Sequence, residues 1–440
     1  MIDIPLAFPS SALMTFAALR ARLPAAVWLD GAAGGRYSLM SAAPQGQLVS
    51  RHGRTRWLPG AGGREQDLGS GDPLALLQSY LGPPVAASGP FAGGAIGYFS
   101  YELGRRLQGQ APGDAGMPEM AVGLYDWALV LDHRHRRAWL AGDPPAGLAD
   151  WLSAGPAQTP GAWWPAGEAR ATPDRASYDR AFRRVRDYLH AGDCYQVNLA
   201  RRLQAPFDGD PLGVYADFRE AAGGPFAAYL ELAGGPILSG SPERFLELRD
   251  GWVKTAPIKG TRPRAADPRT DAARRDELLA SAKDRAENLM IVDLLRNDLG
   301  RACRTGSVSV PRLFALESFV TVHHMVSTVV GRLRADRVAT DLLRDCLPGG
   351  SITGAPKYRA MEIIDELEGE PRGIYCGSIG YLGRDGAMDT SIAIRTMTAR
   401  DGVLDYRAGG GLVADSECAA EFDETESKAA AFRRLLAVVG

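Results

Sequence analysis

Apolar residues recur every three to four positions in SSALMTFAALRAR (10–22), behind a leading serine. That spacing predicts an amphipathic helix with a serine cap. Short runs with strand character follow, AVWLDG, RYSLMSA, GQLVSRHG and TRWLPG, each closed by a turn residue. GGAIGYFSY (93–101) and VGLYDWALVLDHRHRRAWLAG read as hairpin material. Farther on, SYDRAFRRVRDYLHAG predicts a helix and CYQVNLARRL an alternating strand. One long helix is expected over 276–300, DELLASAKDRAENLMIVDLLRNDLG. A strand SFVTVHHMVSTVVGRL, a helix opening at GAPK, strands YCGSIGYLG and TSIAIRTMTA and a last helix complete the pattern.

Helices and hairpins mixed in this order favour an α+β fold. The expectation is two face-packed, mostly antiparallel β-sheets with helices outside. Residues 151–176 are rich in Pro, Ala and Gly and read as a linker or surface crossing between regions 1–150 and 177–440. The N-terminal region is expected to complete the sheets rather than stand apart. GGAIGYFSY and CGSIGYLG share only GxIGY, too little for a repeat.

Composition narrows the function classes. The chain has 440 residues, 45% apolar and 23% charged, with a formal charge of −2. No net basic field draws it to nucleic acid. Five scattered cysteines without a CxxC pair suit reduced thiols, and the six histidines form no zinc spacing. The N-terminus lacks a signal-peptide pattern. No run reaches the roughly 18–20 apolar residues that cross a bilayer, so the expectation is a cytoplasmic protein without a membrane partner.

Candidate chemistry gathers in the second half. In TAPIKGTRPR (255–264), Lys259 stands between a stiff Pro-Ile pair and a free Gly-Thr pair, either a solvated lysine or one held still for reaction. Glu421, Glu424 and Lys428 share one helical stripe. Glu287 shares its helix side with Met290, Ile291 and Leu294, where a carboxylate must be paired, protonated or bound to a cation. GGSITGAPK places a Gly/Ser/Thr turn before a helix with Pro356 near its first position, an anion site or an ordinary turn. Gly409, Gly410 and Gly411 expose backbone that an anion can approach. His324 falls on a strand face with Val320, Val322, Val326 and Val330, with His323 opposite; Arg395 lies on an apolar face and wants a carboxylate.

Together these pieces resemble the chorismate-utilising enzymes, the family of the anthranilate, aminodeoxychorismate, isochorismate and salicylate synthases. The resemblance is carried by SPERFL (241–246), PIKGTRPR (257–264), AENLMIVDLLRNDLGR (286–301), VHHMVS (322–327), GGSITGAPK (349–357), YCGSIGYLG (375–383), IAIRT (392–396) and AGGGLVADS…AEFDET…K (408–428). WLDGAAGGRYSLMSAAP and FAGGAIGYFSYELGRR extend it into the N-terminal, anthranilate-synthase-like region. PIKGT and CYQVNL look like the branch that aminates chorismate at C4; anthranilate synthases typically have PIAGT.

The resemblance implies roles. The Lys259 amine attacks C2 of chorismate, the C4 hydroxyl departs, and ammonia then adds at C4 and expels the lysine. Glu243 is the implied general acid and base, with His324 in the catalytic pocket. Mg²⁺ is the implied cofactor, held by Glu287 and Glu424 with Glu421 near it or through water, and it binds the ring carboxylate. Arg395, Tyr375 and the amides of Gly409 to Gly411 would meet the enolpyruvyl carboxylate. Gly260, Thr261 and Thr353 carry over as substrate contacts, and Lys428 balances the acids. An ordinary lysine is neutral in roughly one molecule in 2,500 at pH 7, so its pKa must fall. Burial, Mg²⁺, Arg262 and Arg264 are expected to lower it, against Glu243.

Related enzymes bind tryptophan in the N-terminal part with an LxS serine; here the stretch is Leu29-Asp30-Gly31, although Pro225, Phe226 and Ala227 are present. No glutaminase motif is visible, so ammonia is expected from a glutamine amidotransferase subunit, and a fused lyase is not expected. The alternatives are an anthranilate synthase, an isochorismate synthase, a docking subunit without turnover and a Schiff-base lyase using Lys259.

Overall fold

The structure is a computed structural model, and it describes residues 3–31, 34–60, 62–82, 84–86, 89–318 and 322–437. Two large sheets dominate it, of 13 and 12 strands among the described residues, and every strand register is antiparallel. In the first sheet the strands Val27–Asp30, Phe226–Leu232, Gly235–Ser241, Thr396–Arg400, Val403–Leu412 and Gln196–Gly209 lie side by side in that order. The second runs from Ile258–Pro263 through Val322–Arg332, Trp252–Thr255, Arg244–Arg249, Met388–Ile392 and Ser378–Gly383 to Gly94–Phe99 and Met120–Tyr125. Each sheet thus joins one block of strands from the first 142 residues to one block from the rest of the chain. Residues 163–165 and 170–172, within the proline-rich stretch, pair with the strand Gln196–Gly209.

The two-residue period of a strand explains the layering. In Met120–Tyr125, residues Met120, Val122 and Leu124 pack with the helices over the outer face of the second sheet. Ala121 and Tyr125 point the other way, into a cluster with Val27, Val130 and Leu230 of the first sheet. That cluster is the seam where the sheets meet face to face. The first sheet's outer face is covered by the helices Ala12–Arg22, Pro211–Ala222 and Cys418–Ala437 through Phe16, Phe218 and Phe432. Ser11 caps the first of these, its Oγ accepting from the Met14 amide at 3.3 Å. No helix among the described residues is long and apolar enough to cross a membrane.

Three expectations change. The shared GxIGY segments are adjacent strands, with Ile96 opposite Tyr381, Gly97 opposite Gly380 and Tyr98 opposite Ile379. A Cβ at Gly97 would lie 2.2 Å from the Ala121 carbonyl oxygen, and one at Gly380 2.2 Å from that of Asp389, so close strand approach selects both glycines. The stretch TSIAIRTMTA is two strands, Met388–Ile392 in the second sheet and Thr396–Arg400 in the first, with Arg395 at the switch. The segment around Asp126 also changes sheets, so only Trp127–Asp132 and Arg137–Gly142 form a hairpin there.

The long helix divides into Pro268–Ala280 and Ala282–Ala302. Ser281 is extended (φ −64°, ψ 108°) and its Oγ accepts from the Asp284 amide at 3.2 Å, so it ends one helix while capping the next. Ser281→Ala is expected to lower unfolding stability by about 1 kcal/mol. An earlier urea midpoint at unchanged slope, restored by Ser281→Asp, checks this.

Candidate active site

Lys259 lies on Ile258–Pro263, an edge strand of the second sheet. Ile258 pairs with Val326 and Thr261 with His324, so one extra residue bulges out at Lys259-Gly260. Bulges re-aim side chains next to active sites. Gly260 takes φ +79°, and a Cβ there would meet Leu278 Cδ1 at 2.7 Å and Asp284 Cγ at 2.9 Å. Glycine is therefore demanded by conformation and space alike. The bulge holds the Lys259 side chain half-buried, facing Lys428, Glu287, Glu243 and Glu424.

Burial lowers the Lys259 pKa, and Lys428 lowers it further, against the pull of Glu287, Glu243 and Glu424. The expected help from Arg262 and Arg264 is not what the structure provides. Arg262 pairs with Glu277 (2.9 Å) and Asp284 (3.2 Å), and Arg264 with Asp271 (2.9 Å). Acids on the two helices that follow the strand take up both guanidinium charges. Lys428, from a helix about 170 positions later in the chain, is the second cation instead.

Glu243 occupies the turn between the strands Gly235–Ser241 and Arg244–Arg249 and is buried. Burial pushes its carboxyl up to about 7, opposed by Lys259, the Ser351 hydroxyl and Lys428. A carboxyl poised there can give and take a proton near neutrality. His324 is held down at about 4 by burial and by Arg395, against a backbone hydrogen bond to Gly260. Its neutral ring meets Thr261 Oγ1 at 2.8 Å through Nδ1. His323, on the opposite face of the strand, is 2% exposed and bonds Ser318 and Asp271, because the strand is covered on both sides. Val320, placed with His324 on one face, lies outside the described residues.

The carboxylates come from two helices. Asn288, fully buried, accepts a 2.5 Å hydrogen bond from Ser327 Oγ and fixes the helix Ala282–Ala302 against the strand Val322–Arg332, which sets Glu287 beside it. On Cys418–Ala437, Glu424 pairs with Lys428 at 2.6 Å, whose Nζ also donates to the Gly409 carbonyl at 2.9 Å. Glu421 Oε1 accepts from Ser416 Oγ at 2.6 Å, while its Oε2 is buried without a hydrogen-bond partner among the described residues. Burial raises Glu287 and Glu421, each further raised by Glu424. Burial also pushes Glu424 up, but Lys428 and Lys259 bring it below the usual range. Among the described residues no three donors converge into a ready metal cage.

Gly409, Gly410 and Gly411 lie in the strand Val403–Leu412 opposite Ala200, Leu199 and Asn198. The neighbouring strand pairs only as far as Tyr406, so the other edge of the three glycines is uncovered among the described strands. A Cβ at Gly410 would sit 3.1 Å from Glu421 Oε2 and 3.7 Å from Glu424 Oε1, so the missing side chain leaves room beside the carboxylates. Arg395, at the sheet switch with φ +47°, donates only to the Ala222 carbonyl (3.4 Å) and has no carboxylate partner among the described residues. A non-glycine residue held in the left-handed region is strain of the kind found at functional sites.

Thr353 is fully buried, its hydroxyl donating to the Gly349 carbonyl at 2.9 Å. The turn before the helix Lys357–Glu368 is a short 3-10 segment, and Pro356 is the N-cap rather than a first-turn residue. Tyr375 stands apart, its ring 5.5 Å from the Arg372 guanidinium and lining a separate cavity of about 320 Å³ with Thr396 and Arg407. Pro225, Phe226 and Ala227 line another cavity, of about 700 Å³, with Asp30, Gly31 and Arg244. Asp30 there is tied to Arg219 at 2.6 Å, and a Cβ at Gly31 would lie 2.2 Å from the Tyr37 carbonyl oxygen, so a serine does not fit that backbone.

Two polar residues of the site escaped the reading of the sequence. Gln196 is 1% exposed, packed beside Gly411, with an Nε2 that has no hydrogen-bond partner among the described residues. A polar side chain at a buried strand position was its signal, visible only once both faces are known to be covered. Ser351, which donates to Glu243 at 3.2 Å, was read as part of a turn.

Comparison with known proteins agrees with this geometry. The model of the chorismate binding enzyme family matches residues 24–434. The chain is 50% identical over 403 residues to aminodeoxychorismate synthase component 1 of Klebsiella aerogenes, covering 89% of this chain and 88% of that protein. It is 49% identical over 366 residues to the Escherichia coli K12 protein of the same name, covering 81% of each. The crystal structure of anthranilate synthase component I from Streptococcus pneumoniae TIGR4 superposes with a TM-score of 0.77 at 30% identity, covering 90% of this chain and 92% of that one. A catalytic half built on these motifs, in this fold and over nearly the whole length, means that the chain belongs to the chorismate binding enzyme family.

Proposed function

We propose that the chain acts as an aminodeoxychorismate synthase component I, converting chorismate and ammonia to 4-amino-4-deoxychorismate through a covalent adduct on Lys259. The observation that carries this reading is the Lys259 amine held half-buried beside Lys428 and within reach of Glu243, Glu287 and Glu424. A lysine in bulk water is protonated and inert as a nucleophile; one lowered by desolvation and a neighbouring cation is activated.

The bond changes balance within the site. The lone pair of Lys259 forms a bond to C2, the ring double bonds shift, and the C4–O bond breaks as Glu243 donates its proton to the departing hydroxyl, releasing water. Ammonia next bonds to C4, the double bonds shift back, and the C2–N bond to Lys259 breaks. Glu243 takes up the proton that ammonia gives off, so it returns to its starting state. A carboxyl near 7 serves both directions. His324, neutral at this pH, holds Thr261 in place rather than carrying the proton.

Chorismate is a dianion, and the site offers two kinds of counter-charge. Arg395, without a carboxylate partner among the described residues, and the open edge of Gly409 to Gly411 suit the enolpyruvyl carboxylate; Tyr375 joins that set by resemblance alone. Mg²⁺ fits the carboxylate cluster, because Glu421 Oε2 is buried and unpartnered, Glu287 and Glu421 are raised, and all donors are hard oxygens. Glu287 and Glu424 would hold it, with Glu421 beside them. A divalent cation there supplies charge neutralisation for the ring carboxylate and polarises the ring toward loss of the hydroxyl. Ammonia would come from a glutamine amidotransferase subunit.

Incubated with chorismate, Mg²⁺ and ammonium, the protein is expected to release 4-amino-4-deoxychorismate; anthranilate with pyruvate would place it in the other branch. Chelation of the metal should abolish turnover. Mass spectrometry after chorismate exposure without ammonia is expected to show an adduct on Lys259, absent from Lys259→Ala; an adduct on another residue would overturn the assignment. The rate of adduct formation should also fall as pH rises through about 7, where Glu243 loses its proton. Glu243→Gln should abolish that alkaline limb and slow the step by roughly 100-fold.

A further inference from the structure

We propose that Ser351 is a positioning residue for Glu243, aiming its carboxyl and tuning the pH at which it exchanges its proton. The inference rests on Glu243 acting as acid and base. Among the described residues the Ser351 hydroxyl, at 3.2 Å from Oε1, is the one hydrogen-bond donor to the Glu243 side chain. The amines of Lys259 and Lys428 are the other groups that face it. Amines on long side chains contribute charge but little direction. A short hydroxyl on a fixed loop contributes direction.

Both ends of this hydrogen bond are anchored. The Glu243 carbonyl accepts from the Ile392 amide at 3.1 Å, and its amide donates to Ser241 Oγ at 3.3 Å, itself bonded to the Ile392 carbonyl at 2.6 Å. Ser351 sits in the segment Gly350–Ile352, clamped from three sides. A Cβ at Gly350 would meet Leu294 Cδ2 at 2.4 Å, and one at Gly349 Ile392 Cδ1 at 2.9 Å, so the loop lies flat against its neighbours. The Ile352 carbonyl accepts from Arg372 at 3.1 Å. Behind the loop, Lys357 Nζ donates to Asp298 Oδ1 at 2.7 Å and to the Cys346 carbonyl at 3.1 Å, in a nearly buried ion pair. Asp298 belongs to the helix that carries Glu287, so one helix registers both the carboxylate cluster and the loop that aims Glu243.

The hydroxyl stabilises the ionised carboxylate, so its removal should raise the carboxyl pKa further. The titration of Glu243 is to be followed by difference infrared spectroscopy of the carboxyl band, with Glu243→Gln as the reference, alongside the pH profile of adduct formation. Ser351→Ala is expected to move both upward by about one pH unit and to slow adduct formation on the order of tenfold; Ser351→Thr, which keeps the hydroxyl, should restore both. An unmoved Glu243 titration in Ser351→Ala would overturn the proposal. So would a rate loss from Ser351→Ala that persists in full in the Glu243→Gln background. If Glu243→Gln kept the full rate, the acid–base reading would fail by itself, and the infrared shift would still decide whether Ser351 holds the carboxyl.

Discussion

An amine withdrawn from water next to a second amine is the constraint around which the rest of the site is arranged. Desolvation and the Lys428 charge act in the same sense on Lys259, and three carboxylates act against them. Each carboxylate is restrained by its own surroundings: Glu424 is matched to Lys428, while burial raises Glu287 and Glu243. A bound divalent cation would weaken their hold on the Lys259 proton further, by competing for the same negative charge. The charge balance of the pocket, not any single residue, sets how readily the amine gives up its proton.

This arrangement depends on elements far apart in the chain. The bulge that turns Lys259 inward lies on an edge strand of the second sheet, while its companion cation stands on the last helix, and only the folded chain brings the two together. Arg395 gains its position in the same way. The chain leaves one sheet at Ile392 and enters the other at Thr396, so Arg395, the last of the three residues between them, stands at the crossing and inside neither strand. A residue inside a continuous strand would have found neighbours on both sides. The positive φ at Arg395 is the local cost of that crossing.

The N-terminal portion lacks the reactive groups yet cannot be separated from them. Gly94–Phe99 lies directly against Ser378–Gly383 at the centre of the second sheet, and Val27–Asp30 borders Phe226–Leu232 in the first. The large cavity at Pro225 to Ala227 is bounded by both portions, and it also reaches Ile258, the residue before Lys259. Packing at that seam therefore bears on the strand that presents Lys259.

Local patterns were enough to read most elements, because the hydrophobic period of a helix or strand is written in neighbouring residues. Ser11 shows how far that reaches: a helix cap follows from residue type and its place before an amphipathic run. The motifs likewise revealed which lysine, glutamates and arginine to bring together. Tertiary structure decided what those residues feel. That Arg262 and Arg264 are neutralised by helix acids while Lys428 supplies the second charge, that Ser281 divides a helix, and that Ser351 and Gln196 belong to the site could not be read from spacing. Burial and electrostatic coupling depend on distances between strands remote in sequence, and only the packed sheets set those distances.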